Sequence, residues 1–412
     1  MYLSGSKWQM TKTRRKRSRP WRVLGLLVLL AAMVYLWQIV VPTVPPLLIP
    51  TATPTRSPVS YVLEAENLFA AGKLEQAIDS YRDAIAVDPQ NVAYYIAMAR
   101  VQVFAGLYGE AETSARSALL IDPNSALAHA VLGWSLDFNG NLIDAQREVE
   151  RALEIDPNLA LGYAYYAEIL ADVDLYDEGA VQARRSLEVD PGLLEGHRAL
   201  GYVYEKVGRY ADAQQQYLAA LAINPNLPLL HIALGNMYRA QGEINAAIDS
   251  FTRASSLLVD DPTPLLYLAQ TYASVGEYGK ASQYAADALR TDPGSARLHG
   301  NLGRMYYHNN ELDLAIDELS LAVRGGQTAD GVPVEGLALD PGDTRVVEYY
   351  YTYGLALAKL ARCDEAVAIF NALIRGVPDD DIAQANALEG LTICGQPAAT
   401  ATPEVTATPA AQ

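Results

Sequence analysis

The side chains of this 412-residue chain that could do chemistry are five histidines, several carboxylate runs and two cysteines. Four of the histidines, His129, His197, His231 and His299, are spaced at multiples of 34 residues. Metal ligands must converge on one ion at roughly 2 Å each. Residues strung out at that spacing occupy equivalent positions in separate units, where Tyr61, Tyr95, Tyr163 and Leu265 also occur. The position is therefore a packing site for a large side chain, and no metal site is expected. Carboxylate runs such as Asp379-Asp380-Asp381 fall at helix starts and turns, where capping accounts for them. The sequence has no Gly-x-Ser-x-Gly, His-Glu-x-x-His, phosphate-binding loop or Gly-x-Gly-x-x-Gly. Cys363 and Cys394 have no histidine near them. No catalytic residue and no cofactor is expected, and the chain reads as a non-enzyme.

The elements that carry these residues repeat every 34 positions. Ala77, Ala111, Ala145, Gly179, Ala213, Ala247, Ala281 and Ala315 fall in register, and Pro89, Pro123, Pro157, Pro191, Pro225 and Pro293 follow twelve residues on. Ala65, Ala99, Gly133, Ala167, Gly201, Gly235, Ala269 and Gly303 precede them by twelve. Large and small apolar residues recur at helical intervals, as in Leu200, Gly201 and Tyr204, then Ala213, Tyr217 and Ala220. Small residues allow two helix backbones to approach, and the aromatics fill the space beside them. A mid-repeat glycine such as Gly72 or Gly106 suits a left-handed helix end, and the proline cannot continue a helix. Each unit is thus a pair of antiparallel helices, A and B, that buries its apolar face only by stacking on its neighbours.

This pattern resembles the tetratricopeptide repeat (TPR) family. The resemblance implies an all-α fold, a right-handed α-solenoid. Nine repeats are expected, starting near Pro58, Val92, Ala126, Ala160, Leu194, Pro228, Pro262, Ala296 and Val347. A Gly-rich surface loop over 325–340 interrupts them, and Asp381 to Cys394 supplies a capping helix, so the array covers 58–394. In the family the A helices line a concave groove. Carried over position by position, that groove would present Trp134, Asp137, Phe138, Arg198, Tyr202, Asn236, Arg239, Arg304, Tyr307 and His308. Aromatic and arginine residues in a concavity are the usual carriers of binding energy. Packing against the next repeat is the alternative for Trp134. Parallel A helices in such stacks would also bring Cys394 beside Cys363, which predicts a disulfide, with two free thiols the alternative.

Outside the array, residues 1–22 hold eight Lys or Arg and no acid, and 23–41 form an apolar run of 19 residues. At about 1.5 Å per residue the run spans roughly 28 Å, near the thickness of a bilayer core. No small-x-small cleavage site follows, so an uncleaved signal anchor is expected, with a cleaved signal the alternative. Basic flanks stay in the cytoplasm, which places the repeats outside the cytoplasmic membrane. Residues 42–57 form a Pro/Thr-rich linker, and 395–412 a disordered Thr/Pro/Ala-rich tail. The formal charge is −17, and with +8 in the first 41 residues the remainder carries −25. That balance argues against nucleic acid as a ligand. The expected function is a membrane-tethered scaffold binding a protein or extended peptide, in cell-envelope or secretion assembly by analogy. A glycan- or wall-binding module and a passive spacer or self-association element are the alternatives.

Overall fold

A computed structural model describes residues 20–40 and 56–395. The basic stretch before residue 20, most of the linker and the tail from 396 lie outside the described residues. The first unit is a single helix, α1 (Pro20–Tyr35), continued by a π-helical turn over Leu36–Val40. Over Pro20–Gln38 its mean hydropathy is 1.7 and none of it is buried, so length and composition suit a bilayer or a signal sequence.

The second unit is an α-solenoid of nineteen described helices. Repeats one to three are α2 (Pro58–Ala70) with α3 (Leu74–Val87), α4 (Val92–Phe104) with α5 (Tyr108–Ile121), and α6 (Ala126–Phe138) with α7 (Leu142–Ile155). Repeats four to six are α8 (Ala160–Asp172) with α9 (Tyr176–Val189), α10 (Leu194–Lys206) with α11 (Tyr210–Ile223), and α12 (Pro228–Ala240) with α13 (Ile244–Leu257). Repeats seven to nine are α14 (Thr263–Ser274) with α15 (Tyr278–Leu289), α16 (Ala296–His308) with α17 (Leu312–Arg324), and α18 (Thr344–Lys359) with α19 (Cys363–Gly376). Helix α20 (Asp381–Ile393) closes the array.

Local chemistry explains both turns of each repeat. At the end of α2, Gly72 adopts φ +77°, and the Lys73 amide bonds the Leu68 carbonyl at 2.9 Å, the reverse turn that satisfies a helix C-terminus. Asp174, Asn310 and Ala361 take the same left-handed conformation in repeats four, eight and nine, where glycine is missing. At the end of the B helices, the Asp before Pro folds back to accept from the amide two residues on. Asp122, Asp156, Asp190 and Asp292 do so at 3.0–3.1 Å. The recurrent Asp-Pro is thus a turn, not merely a helix stop.

The position shared by the histidines is a staple. His129, His197, His231 and His299 each place Nε2 within 2.9–3.3 Å of the carbonyl of the proline six residues earlier. Tyr95 and Tyr163 donate their hydroxyls to the same carbonyl of their own repeats, at 3.2 and 2.9 Å. On the other ring nitrogen, His129, His197 and His299 meet Glu148, Gln216 and Glu318 of the B helix. The side chain ties turn, A helix and B helix together.

Two features depart from a plain stack. The first turn of the solenoid closes on itself. Asn226 Nδ2 donates to the Ala70 carbonyl at 2.8 Å and Asn224 Nδ2 to the Phe69 carbonyl at 3.3 Å, joining repeat one to the junction of repeats five and six. Arg253 holds the Asn226 side-chain oxygen at 2.6 Å. The 325–340 segment is the other departure. It contains a small antiparallel hairpin, β1 (Gly326–Gln327) with β2 (Pro333–Val334), and returns through Asp340-Pro341 into α18. Helix α18 begins at Thr344, three residues before Val347, because Asp343 caps it by accepting from the Arg345 and Val346 amides.

Candidate partner groove

The superhelical closure decides which concave residues face solvent. In repeats two to five they face each other. Arg100 on α4 pairs with Glu195 on α10, and Arg198 on α10 pairs with Glu168 on α8. Trp134 on α6 lies among them at 0% exposure. Its indole stacks on Tyr165 with centroids 4.3 Å apart, and its Nε1 donates to Glu168 at 2.8 Å. The Arg198 guanidinium sits 4.7 Å from the indole centroid and also covers Phe104 and Phe138. Trp134 therefore does not line an open groove and takes the packing alternative: in the first turn these A-helix positions of four repeats meet in the interior.

The neighbours of Trp134 share its fate to differing degrees. Asp137 is buried, and burial, with Asp172 and Glu168 nearby, pushes its carboxyl up to about 8. Glu168 is pushed up to about 7, chiefly by burial. Arg198 is half-buried between its ion pair and the rings. Tyr202 donates to Asp172 at 2.5 Å and lies under the Lys206 ammonium, so its hydroxyl is already spoken for. Phe138 remains partly open at 36%, stacked on Tyr108 at 4.6 Å.

Repeats six to nine are arranged differently. Arg239 donates to Asn236 at 3.1 Å and to Gln270 at 3.3 Å, and rests over Tyr267 and Phe251. It has no carboxylate partner among the described residues. Arg304 and Arg345 share one carboxylate, Glu348, at 2.6 and 2.7 Å. His308 stacks on Tyr278 at 5.0 Å and meets Tyr307 edge-on. Although its edge is open to solvent, partial desolvation against the neighbouring rings, with Arg304 and Lys359 close by, holds its imidazole below its ordinary value. Lys359 lies 4.3 Å from the Tyr307 ring. Arg304, Arg345, His308, Gln270 and Tyr278 together line a cavity of about 330 Å³. The structure thus brings Arg304, Tyr307 and His308 together, with Arg239 and Asn236 two repeats earlier, and keeps them apart from the Trp134 set.

Several participants escape a sequence reading. Arg345 stands before the ninth repeat as counted and has no position in the register. Glu168 does leave a signal, being the one acid within the apolar run Tyr163 to Ala171. At the C-terminal end, Cys363 and Cys394 are bonded, with Cα atoms 5.4 Å apart, and fasten α20 to the turn before α19. Among the described residues no cluster of metal-ligating side chains occurs.

Comparison with known proteins agrees with this architecture. Four tetratricopeptide repeat models match, over residues 68–135, 194–227, 230–265 and 266–330. No curated protein matches the sequence. Among solved structures, the APC/C hetero-tetramer Cut9-Hcn1 is similar in fold, with 18% identity, a TM-score of 0.53 and 64% of this chain covered. This chain spans about half of that one, 52%. TTC0263, a thermophilic TPR protein of Thermus thermophilus, matches at 20% identity and TM-score 0.37, covering 44% of this chain and 98% of its own. Pseudomonas aeruginosa pilF matches at 22% and TM-score 0.37, with 53% and 94% covered. Repeat models over residues 68–135 and in three further matches between 194 and 330, on a solenoid of this construction, make the chain a member of the tetratricopeptide repeat family.

Proposed function

We propose that the chain is a non-catalytic, membrane-tethered scaffold that holds an acidic segment of a partner protein on the concave face of repeats six to nine. One observation carries the reading. Among the described residues, Arg239, Arg304, Arg345 and Lys359 are served by a single carboxylate, Glu348, in a chain whose formal charge is −17. Arg239 and Arg304 are partly desolvated, and an incoming carboxylate on the partner offsets that cost. The rings of Tyr278, Tyr307 and His308 add apolar surface beside the charges.

The apolar helix Pro20–Gln38 supports a membrane tether, and the basic residues ahead of it support a cytoplasmic N-terminus. The Cys363–Cys394 bond supports an oxidising compartment for the repeats, outside the cytoplasmic membrane. A role in envelope or secretion assembly fits that setting. Stacking of a sugar ring on Trp134 is disfavoured, since that indole has no free face.

The test is photo-crosslinking in intact cells, with a probe at exposed His308 and a control at Ile143, 82% exposed on α7. A discrete protein adduct at His308 alone, abolished by R304E with R345E, is expected. Absence of any adduct, or the same adduct at Ile143, overturns the reading.

A further inference from the structure

The charges around the cavity between α14, α15, α16 and α18 do not balance. Arg304 and Arg345 share Glu348 at 2.6 and 2.7 Å, and Glu348 is their only carboxylate partner among the described residues. The Arg304 Nε is buried without an acceptor. Burial, together with the like charge of Arg345, lowers the pKa of the Arg304 guanidinium despite the support of Glu348. A third cation, Lys359, stands exposed at the edge and meets the face of Tyr307 at 4.3 Å. His308, on the cavity wall, feels the charges of Arg304, Glu348 and Lys359 together. Three cations around one carboxylate leave an excess of two positive charges. One side-chain carboxylate from a partner cancels half of it.

The uncommitted donors stand on four separate helices. Gln270 on α14 accepts from Arg239 through its side-chain oxygen, and its amide nitrogen has no partner among the described residues. The Tyr278 hydroxyl on α15 and the His308 ring nitrogens on α16 have none either. Arg345 on α18 gives one terminal nitrogen to Glu348 and keeps the other. A carboxylate accepts in its own plane, and a single guanidinium fork can fill it. A phosphoryl group offers three oxygens in different directions and carries about −1.5 to −2 near pH 7. It can therefore accept from several walls at once and cancel an excess of two.

Building on the acidic-segment reading above, we propose that this cavity is the recognition site for a phosphorylated serine or threonine of the partner segment. Its volume of about 330 Å³ lies at the lower end of the range for ligand sites, which suits a short phosphorylated side chain. Ala273 and Met305 give the stem of that side chain apolar contact. Phosphorylation of the partner then controls its capture: the unmodified hydroxyl leaves both excess charges uncompensated.

The test is fluorescence anisotropy on the full-length chain, using three fluorescein-labelled peptides, Ala-Glu-Leu-X-Leu-Glu-Ala, in which X is phosphoserine, Glu or Ser. The phosphoserine peptide should bind about tenfold tighter than the Glu peptide, the gain of one further charge-assisted hydrogen bond. R345Q, at a half-buried residue, and K359Q, at an exposed one, should each bring it down to the level of the Glu peptide. Circular dichroism melts check that both variants remain folded. Equal binding of the phosphoserine and Glu peptides overturns the phosphoryl site and leaves the acidic-segment reading standing. Failure of both peptides to bind at about 1 mM overturns the two together. A phosphoserine preference that survives intact in R345Q and K359Q places the phosphoryl group elsewhere and also overturns the site. So does inorganic phosphate that displaces the phosphoserine peptide at equal concentration, since the site then takes a free anion and not a segment.

Discussion

Trp134→Ala separates a packing residue from a groove residue. The indole is fully buried, stacks on Tyr165 at 4.3 Å, and donates to Glu168 at 2.8 Å beneath the Arg198 guanidinium. Truncating a buried tryptophan to alanine costs about 3–5 kcal/mol in transfer and cavity terms. Removing the donor also takes one of the two hydrogen bonds to Glu168 Oε2, leaving only Arg198 there, in a site where Glu168 Oε1 already has no partner, at about 1–3 kcal/mol. The sum is of order 5 kcal/mol, enough to unfold the first solenoid turn in mild denaturant. Trp134→Phe keeps most of the ring volume and loses the donor, so it should cost about 1–2 kcal/mol. The assay is urea unfolding followed by helical circular dichroism, with the low-urea transition assigned by limited proteolysis. A groove-lining tryptophan predicts the reverse pattern: lost binding with stability within about 0.5 kcal/mol of the parent. That outcome for Trp134→Ala would refute the closed-core argument.

Other perturbations probe the acid in the core and the C-terminal cap. Asp137 has its carboxyl raised from 3.8 to about 8 by burial and by Asp172 and Glu168, so the folded state favours its protonated form. That contribution is complete below pH 3.8 and drains away as pH rises towards 8, at up to about 1.4 kcal/mol per pH unit. Asp137→Asn should therefore flatten the decline in urea midpoint between about pH 5 and pH 8.5; parallel curves for the two proteins would contradict this. A Cβ on Gly390 would stand 1.9 Å from Cζ of Phe370, which is fully buried and cannot step aside. Gly390→Ala should cost about 2–3 kcal/mol and expose α20 to protease first. The Cys363–Cys394 bond joins residues 31 apart, worth about 3–4 kcal/mol of denatured-state entropy. Cys394→Ser, or reduction of the parent chain, should release α20 to proteolysis while the helices from α2 to α13 keep their protection.

Residues such as Gly72, Ala77 and Pro89 make the helix pairs legible, because each acts through chemistry within its own repeat: a left-handed turn, a close backbone approach, a forced stop. The site divides along the same line. Arg304, Tyr307 and His308 share one helix, and their grouping follows from helical spacing alone. Trp134 is different, because its burial depends on Arg198 arriving from two repeats away. That meeting is set by the small rotation between successive repeats summed over the array, a quantity no single repeat encodes. The hairpin is hidden for another reason. Its paired strands are two residues each, too short to show alternation, so 325–340 reads only as a Gly-rich loop.

The clasp between Asn226 and the Ala70 carbonyl has a kinetic consequence. Solenoids usually contain only nearest-neighbour contacts, so they nucleate anywhere and unzip from either end. Here a bond across 156 residues and an ion pair across 95 tie distant repeats together. Forming them requires closing a long loop, which raises contact order and slows the final folding step. Once formed, they couple repeats one to six into one cooperative block, while repeats seven to nine retain the graded opening of an ordinary array. Amide hydrogen exchange should register this as a step: near-uniform protection up to α13, then values that fall repeat by repeat until the disulfide at α20 restores them.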